Sequence, residues 1–252
     1  MVYNKGENVM KNKIYIFIPL IFIFVACGFD TNKEYTCGIY TFKYIDKQSV
    51  SLCEVGYSQR NSDTLYIPKT IYGNNVVKIE NIGSGSAKKI VLPSTVKSIG
   101  KRAFKWCKNI ETISLPDGLT AIEDEVFYGC FSLKAITLPA SVKNIGKSAF
   151  KWCENIETIS LPDGLTTIED EVFYGCSSLK EITLSASVKS IGNSAFSDCS
   201  ELTNVIFADT NSWYVKQHYD SSTWASVNVT NPAANAEYLK YTYNDYRWEK
   251  RQ

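Results

Sequence analysis

The sequence has few of the residues on which most enzyme chemistry depends. It contains one histidine, His218, so a metal site built from several histidines is excluded, and acid–base catalysis near neutral pH has few candidates. It has no G-x-S-x-G nucleophile motif, no H-E-x-x-H zinc motif, no phosphate-binding glycine loop and no dinucleotide fingerprint. We therefore expect a protein that is not an enzyme and that uses no metal and no cofactor.

An excess of charge of one sign is also missing. The chain of 252 residues has 27 Lys and Arg against 26 Asp and Glu, a net charge of +1. Nucleic-acid-binding proteins usually carry a basic excess that contacts phosphates, so we expect no nucleic-acid partner. With 44% hydrophobic and 21% charged residues, the composition is that of a folded protein with a sizeable core.

The amino terminus lacks an apolar run long enough to span a bilayer. The run Ile14 to Phe24 has eleven residues and follows two lysines. A transmembrane helix takes about 20 apolar residues, whereas a signal-peptide core takes about 7–15. The segment therefore predicts export of the chain.

The residues after this run, Val25-Ala26-Cys27-Gly28, resemble the cleavage box of bacterial lipoproteins, with Phe24 where Leu is usual. The resemblance implies that residues 1–26 are a lipoprotein signal peptide and that Cys27 carries the lipid that attaches the chain to a membrane. A secretory signal with an incidental cysteine, or an uncleaved anchor, remains the alternative.

A 23-residue repeat organises the centre of the chain. Three kinds of residue recur with this spacing, namely Phe104, Phe127, Phe150, Phe173 and Phe196; Cys107, Cys130, Cys153, Cys176 and Cys199; and Ile99, Ile122, Ile145, Ile168 and Ile191. The alternation Ile182-x-Leu184 predicts a short strand with one buried face. The rest of each unit crosses back with Ile, Phe and Cys inward, and neighbouring strands stack in parallel about 4.8 Å apart.

This pattern resembles the leucine-rich repeat, specifically the BspA-type repeat of treponemes and other host-associated bacteria, strongly over residues 88–207 and weakly over 50–87. The resemblance implies an α/β-type solenoid with one sheet of short parallel strands and a cap at each end. We expect a lipidated amino-terminal cap at 27–55, the solenoid at 56–207 and an aromatic carboxyl-terminal cap at 208–252. The aromatic tail is alternatively a ligand-binding patch.

A second period of 46 residues overlies the first. Residues 104–146 and 150–192 differ at six of 43 positions, which indicates duplication of a two-unit block. Neighbouring units place opposite charges one coil apart, as for Lys101 and Asp124, and place tryptophan beside glycine, as for Trp106 and Gly129. These columns of side chains either form a mixed-charge binding surface or serve only to let adjacent coils stack on each other.

The eight cysteines divide into three groups. Five occupy one repeat position and are expected to be reduced core residues, although adjacent coils are close enough for bridges. Cys27 is assigned to the lipid. Cys37 and Cys53 flank a predicted hairpin and are candidates for one disulfide that holds the amino-terminal cap.

The resemblance implies a surface protein that attaches to host matrix or plasma proteins or to other cells. We expect it at the cell surface, on the outer membrane, rather than on the periplasmic face. Solenoids bind through extended faces, so the outward strand positions are the candidate ligand face. These positions are Thr112, Ser114, Ala135, Thr137, Thr158, Ser160, Glu181 and Thr183. They are short and mostly hydroxylated, and they are either a weak, extended binding face or an ordinary solvated sheet. We expect a monomeric, lipid-anchored adhesin, with a structural envelope protein or a periplasmic interaction scaffold as the alternative.

Overall fold

The computed structural model describes residues 33–37, 40–55, 63–82, 85–217 and 224–251. The predictions for the signal peptide, for Cys27 and for His218 fall outside these residues. The described residues form twenty strands, one α-helix and, directly after it, one short π-helix (Tyr238–Thr242). In chain order these are β1 (Tyr35–Cys37), β2 (Tyr40–Tyr44), β3 (Ser49–Val55), β4 (Thr64–Tyr66), β5 (Thr70–Ile71), β6 (Asn74–Ile79), β7 (Lys89–Val91), β8 (Ser98–Ile99), β9 (Thr112–Ser114), β10 (Ala121–Ile122), β11 (Ala135–Thr137), β12 (Asn144–Ile145), β13 (Thr158–Ser160), β14 (Thr167–Ile168), β15 (Glu181–Leu184), β16 (Ser190–Ile191), β17 (Asn204–Phe207), β18 (Trp213–Gln217), β19 (Ala225–Ser226), α1 (Pro232–Glu237) and β20 (Tyr246–Lys250).

The predicted solenoid is confirmed. Seven strands form one parallel sheet in the order β17-β15-β13-β11-β9-β7-β4, one strand for each turn of the solenoid. In β9 the central Ile113 is buried and its two neighbours are exposed, and β11 and β13 repeat this pattern. The alternation in the sequence therefore sets which face of each strand meets the core.

A second ladder of strands runs along another side of the solenoid, with one short strand from each coil. The sequence did not predict it. It contains β10, β12, β14 and β16, which are two residues long and carry the repeating isoleucines. Before them, β8 pairs with β6 and lies beside β10. After them, β20 pairs with β16 in the antiparallel direction and ends the ladder.

The return leg of each coil is a turn and not a helix, so the α/β-type description needs correction in this respect. Between residues 85 and 217 the structure contains no α-helix. In the coil that follows β8, two residues have positive φ, Arg102 at 63° and Trp106 at 61°. Residues in this left-handed region interrupt a right-handed helix, so the segment folds as consecutive turns. These turns bond to the next coil, as when the Trp106 amide donates to the Tyr128 carbonyl at 2.8 Å.

The core is built from stacked columns of identical side chains. The five repeating phenylalanines are fully buried, and their ring centroids lie 5.3–5.7 Å apart from coil to coil. The five repeating cysteines are buried and carry thiols rather than disulfides, which confirms that they are reduced core residues. The Cys153 thiol donates to the Phe127 carbonyl at 3.1 Å, and the other thiols from Cys130 onward repeat this contact. Burial raises the pKa of Cys199 to about 12, so its thiol stays neutral.

The amino-terminal hairpin forms from β2 and β3, which pair in the antiparallel direction. Strand β3 then pairs in parallel with β6 and joins the hairpin to the first coil. The disulfide predicted between Cys37 and Cys53 is not supported. Strand β2 lies between their strands, and two strand spacings are about 10 Å, beyond the Cα separation that a disulfide bridges. Cys53 is free, and its thiol lies 3.6 Å from Glu80.

The carboxyl-terminal residues cover the last coil. The side chain of Asn231 accepts hydrogen bonds from the Ala233 and Ala234 amides, and Pro232 begins α1, as the sequence predicts. The buried Asn235 amide group donates to the Val205 carbonyl at 2.8 Å, which joins α1 to the edge strand β17. Trp248 is fully buried and its ring lies 6.1 Å from that of Phe207. Aromatic side chains of the tail therefore cover the end of the core that the last coil would otherwise leave open to solvent.

Candidate functional site

The predicted ligand face lies on the outer side of the seven-stranded sheet. The structure places all eight candidate residues at exposed positions on four successive strands, β9, β11, β13 and β15. They form two columns, Thr112, Ala135, Thr158 and Glu181 in one and Ser114, Thr137, Ser160 and Thr183 in the other. Residues 23 positions apart in the sequence therefore lie side by side on neighbouring strands, and the eight residues share one face.

The face extends further than the sequence analysis predicts. The second column continues through Val91 to Tyr66 at one end, and to Ile206 at the other. Tyr66 is 66% exposed and Ile206 is 36% exposed. Strand β4 lies 25 residues before β7 and so departs from the 23-residue period, whereas Ile206 follows Thr183 at that period but was not included in the predicted face. Six strand spacings give the face a length of about 29 Å.

A shallow depression borders this face where β9 and β11 end. Its volume is about 310 Å³, and its lining includes Ser114, Leu115, Asp117, Thr137 and Pro139. The lining combines short hydroxyl side chains with a carboxylate and apolar carbons. This arrangement suits contact with a polypeptide surface and provides no nucleophile–base pair.

The turns form a second exposed edge, where charged side chains pair from coil to coil. The predicted ion pairs are present, with Lys101 at 2.7 Å from Asp124 and Lys147 at 2.9 Å from Asp170. Glu125 pairs with two cations, Arg102 at 2.7 Å and Lys105. Hydrogen bonds from Arg102 and then from Lys105 lower the pKa of Glu125 to about 2. The carboxylate is therefore ionised at any physiological pH and acts as a fixed partner of its two neighbours.

Aromatic side chains cluster beside these ion pairs. We call Trp106, Lys108, Tyr128, Phe131 and Trp152 the turn patch. The Trp106 ring lies 5.1 Å from Tyr128, 5.7 Å from Phe131 and 5.9 Å from Trp152. Trp106 is 44% exposed, and the other rings are half-buried. The sequence pattern identified Trp106, but its contacts with Tyr128, Phe131 and Trp152 needed the structure.

The predicted alternation of tryptophan and glycine is also confirmed. A Cβ atom added to Gly129 would lie 2.3 Å from Cε3 of Trp106, and one added to Gly175 would lie 2.5 Å from Cδ1 of Trp152. Each indole therefore occupies the space over the glycine of the next coil. Lysine side chains also contact the tyrosine rings of the next coil, with Lys105 at 4.3 Å from the Tyr128 ring and Lys151 at 4.3 Å from the Tyr174 ring.

A third feature is a cleft of about 620 Å³ between the amino-terminal hairpin and the first coils. Its lining includes Cys53, Lys78, Glu80 and Lys101. Burial, and then the neighbouring Glu80, raise the pKa of Cys53 to about 12, so this thiol is a poor nucleophile. In the part of the chain that the structure describes, no three or more His, Cys, Asp or Glu side chains are grouped to hold a metal ion. None of the helices there has the length and apolar character needed to cross a membrane.

Comparison with known proteins supports this description of the fold. None of the curated proteins matches the chain. A leucine rich cell surface protein from Faecalibacterium prausnitzii is similar in structure with a TM-score of 0.59 and 22% identity, over 81% of this chain and 62% of that one. The T. pallidum leucine rich repeat protein has a TM-score of 0.53 and 27% identity, over 68% of this chain and 91% of that one.

The pneumococcal vaccine antigen PcpA is also similar, with a TM-score of 0.59 and 23% identity, over 73% of this chain and 52% of that one. This chain thus spans less than two thirds of the length of the F. prausnitzii protein and of PcpA. The family model of the BspA type leucine rich repeat region matches residues 82–203 in six copies. With the 23-residue coils and their stacked strands, this match identifies residues 82–203 as a leucine-rich repeat region of the BspA type.

Proposed function

We propose that this protein is held at the bacterial cell surface by a lipid on Cys27 and binds a protein partner through its repeat surface. BspA-type repeat proteins are typically bacterial surface proteins, and leucine-rich repeats generally serve as protein-binding scaffolds without catalytic activity. The cleavage-box sequence Val25-Ala26-Cys27-Gly28 supports the lipid anchor. A lipidated cysteine places the solenoid next to the membrane in the exported chain.

The observation that carries the proposal is the unbroken outer face of the seven-stranded sheet. Most of its outward side chains are short, so a partner can approach the sheet closely along about 29 Å. An extended polypeptide can contact several coils at once, and contacts that are weak singly add through their proximity. A matrix or plasma protein of a host, with repeated or extended segments, fits such a face.

The carboxyl-terminal end of the solenoid supports a monomer. Strand β20 pairs with β16 at the end of the second ladder, and Asn235 bonds to the edge strand β17. Unpaired edge strands are the usual sites of sheet-to-sheet association between copies, and at this end β16 is paired and β17 packs against α1.

An envelope scaffold without a host ligand is the second candidate. The eight central positions of the strand face offer no aromatic or arginine side chain of the kind that dominates binding hot spots. A face of this composition also fits a protein whose role is to occupy the envelope.

A binding assay separates the two candidates. The soluble chain from residue 31 onward is applied to immobilised matrix and plasma proteins, beside a variant with Thr112, Thr158 and Thr183 changed to lysine. We expect affinity to fall about 10-fold or more, because three long cations interrupt the face. A control with Thr120, Thr166 and Thr210, which are exposed elsewhere, changed to lysine should bind as the unmodified chain does. Equal binding by both variants would contradict the strand-face site, and no binding to any such protein would favour the envelope scaffold.

The anchor has its own test. Replacing Cys27 with alanine is expected to abolish incorporation of labelled palmitate and to move the chain from the membrane fraction to the soluble fraction. Retention of the label in the variant would contradict the assignment of Cys27.

A further inference from the structure

The turn patch contains two tryptophans in a backbone conformation that favours glycine. Trp106 and Trp152 both have φ of 61°, and the same position in the coils after them is Gly129 and Gly175, both with φ of 70°. A side chain in this left-handed region is strained, because its Cβ crowds the backbone. Trp152 is half-buried, but Trp106 is 44% exposed, so burial offsets this strain less well for Trp106. Trp106 therefore packs against neighbouring rings and still leaves part of its indole accessible at the surface.

The two copies of the duplicated block differ at this place. Of their six differences, Lys108 against Glu154 and Phe131 against Ser177 lie in one column of successive coils. The ammonium of Lys108 lies 5.8 Å from the Trp106 ring and 5.7 Å from the Phe131 ring. In the second copy the Ser177 hydroxyl donates to the Glu154 carbonyl at 3.3 Å. One copy is thus basic and aromatic, and the other is acidic and polar, over the same core.

Charge at the turn patch is neutralised unevenly. Lys105 is paired with Glu125, and Lys151 is 2.8 Å from Glu171. Lys108 is exposed, and among the described residues it forms no salt bridge. The next position in its column after Phe131 is Glu154. A positive side chain therefore lies on one side of the Phe131 ring and a negative side chain on the other. A ligand therefore meets an available cation at Lys108, an aromatic surface beside it and an anion beyond.

We propose that the turn patch is a second binding site, separate from the strand face, for a protein segment that presents a carboxylate beside an aromatic side chain. The carboxylate pairs with Lys108, and the aromatic side chain packs on Trp106 and Phe131. The proposal shares with the proposed function only the class of partner, a protein. Tryptophan and tyrosine are enriched in hot spots, and surrounding contacts that exclude water strengthen them. Glu125, paired with Arg102 and Lys105, lies beside the patch, because Lys105 also contacts the Tyr128 ring, and this ion pair supplies part of such a rim.

The duplication supplies variants that the fold already tolerates. Lys108→Glu places in the first copy the residue that the second copy carries, and Glu154→Lys makes the reverse exchange. The two changes alter the net charge by equal amounts in opposite directions. Lys143→Glu makes the same change of charge as Lys108→Glu at an exposed position away from the patch. Trp106→Ala removes the exposed ring, and circular dichroism confirms that each variant is folded.

The probe is a random copolymer of glutamate and tyrosine. Its binding to the purified soluble chain from residue 31 onward is measured by calorimetry. We expect Lys108→Glu and Trp106→Ala each to raise Kd about 10-fold, Glu154→Lys to lower it, and Lys143→Glu to leave it within about twofold. No binding of the copolymer, or equal effects of Lys108→Glu and Lys143→Glu, would overturn the proposal.

Three further probes test the chemical class of the partner. Polyglutamate and the acidic polysaccharide alginate should bind more weakly than the copolymer, because they lack the aromatic group, and a copolymer of lysine and tyrosine should not bind. Equal binding of alginate would indicate a general polyanion site and would overturn the assignment to a protein segment. The strand-face variant with three lysines, assayed with the same copolymer, should bind as the unmodified chain does. Its result separates failure of the strand-face site from failure of the turn patch.

Discussion

Replacing Gly129 with alanine tests whether the spacing of the coils requires the alternation of tryptophan and glycine. The new Cβ atom would lie 2.3 Å from Cε3 and 2.6 Å from Cζ3 of Trp106, where unstrained carbon atoms lie about 3.5–4.0 Å apart. Alanine at a φ of 70° costs about 1–2 kcal/mol in the backbone alone. Displacing the indole also weakens its contacts with Tyr128 and Trp152, each worth about 0.5–1.5 kcal/mol. We expect Gly129→Ala to lower the free energy of unfolding by about 2–5 kcal/mol in total.

A double-mutant cycle separates the two causes. In a Trp106→Ala background only the backbone cost of Gly129→Ala remains, so the loss should fall to about 1–2 kcal/mol. Gly164→Ala is the control, because its nearest atom would be Lys143 Cγ at 3.9 Å, and it should change stability by less than about 0.5 kcal/mol. The assay is urea unfolding followed by circular dichroism, which does not depend on tryptophan fluorescence. Equal losses from Gly129→Ala in both backgrounds would refute the steric argument.

Three further predictions concern the core and the ion pairs. Phe150 stacks on rings of both neighbouring coils, whereas Phe104 stacks on one among the described residues, so Phe150→Leu should cost about 1 kcal/mol more than Phe104→Leu in urea titrations; equal costs would contradict stacking. Because the pKa of Glu125 is lowered to about 2, its ion pairs stabilise the fold fully above its unfolded pKa of about 4.3 and are lost as the pH falls towards 2. Glu125→Gln should therefore lower Tm at pH 7 but not below about pH 2, and a difference in Tm that is independent of pH would contradict this. The five repeating cysteines should resist iodoacetamide in the native chain and react in guanidinium, as mapped by mass spectrometry, and rapid native labelling would contradict their burial.

The regular strands were predictable from the sequence because their pattern is long and repeated. A single Thr112-Ile113-Ser114 carries little information, but five units with one spacing determine both the period and the buried face. The two-residue strands of the second ladder were not predictable, because Ser98–Ile99 is too short to show an alternation. The periodicity identified their isoleucines as inward but gave no sign that their backbones pair.

The turns and the ends required the structure for different reasons. Tryptophan is an unusual residue at positive φ, so Trp106 itself gives no sign of its conformation, and only Gly129 in the next coil indicates it. At one exposed end of the strand face, Tyr66 lies on a strand that departs from the 23-residue period, so the period did not place it. Strand β20 reaches β16 from 55 residues further along the chain and carries no repeat signal, so its antiparallel pairing depends on tertiary packing.

Surface accessibility tests most directly the claim that this solenoid is displayed for binding a protein partner. Intact cells that produce the full chain are treated with proteinase K, and the chain is detected by immunoblotting beside a periplasmic control protein. We expect the chain to be degraded while the control stays intact. Protection of the chain until the outer membrane is permeabilised would show that the solenoid is not displayed at the surface.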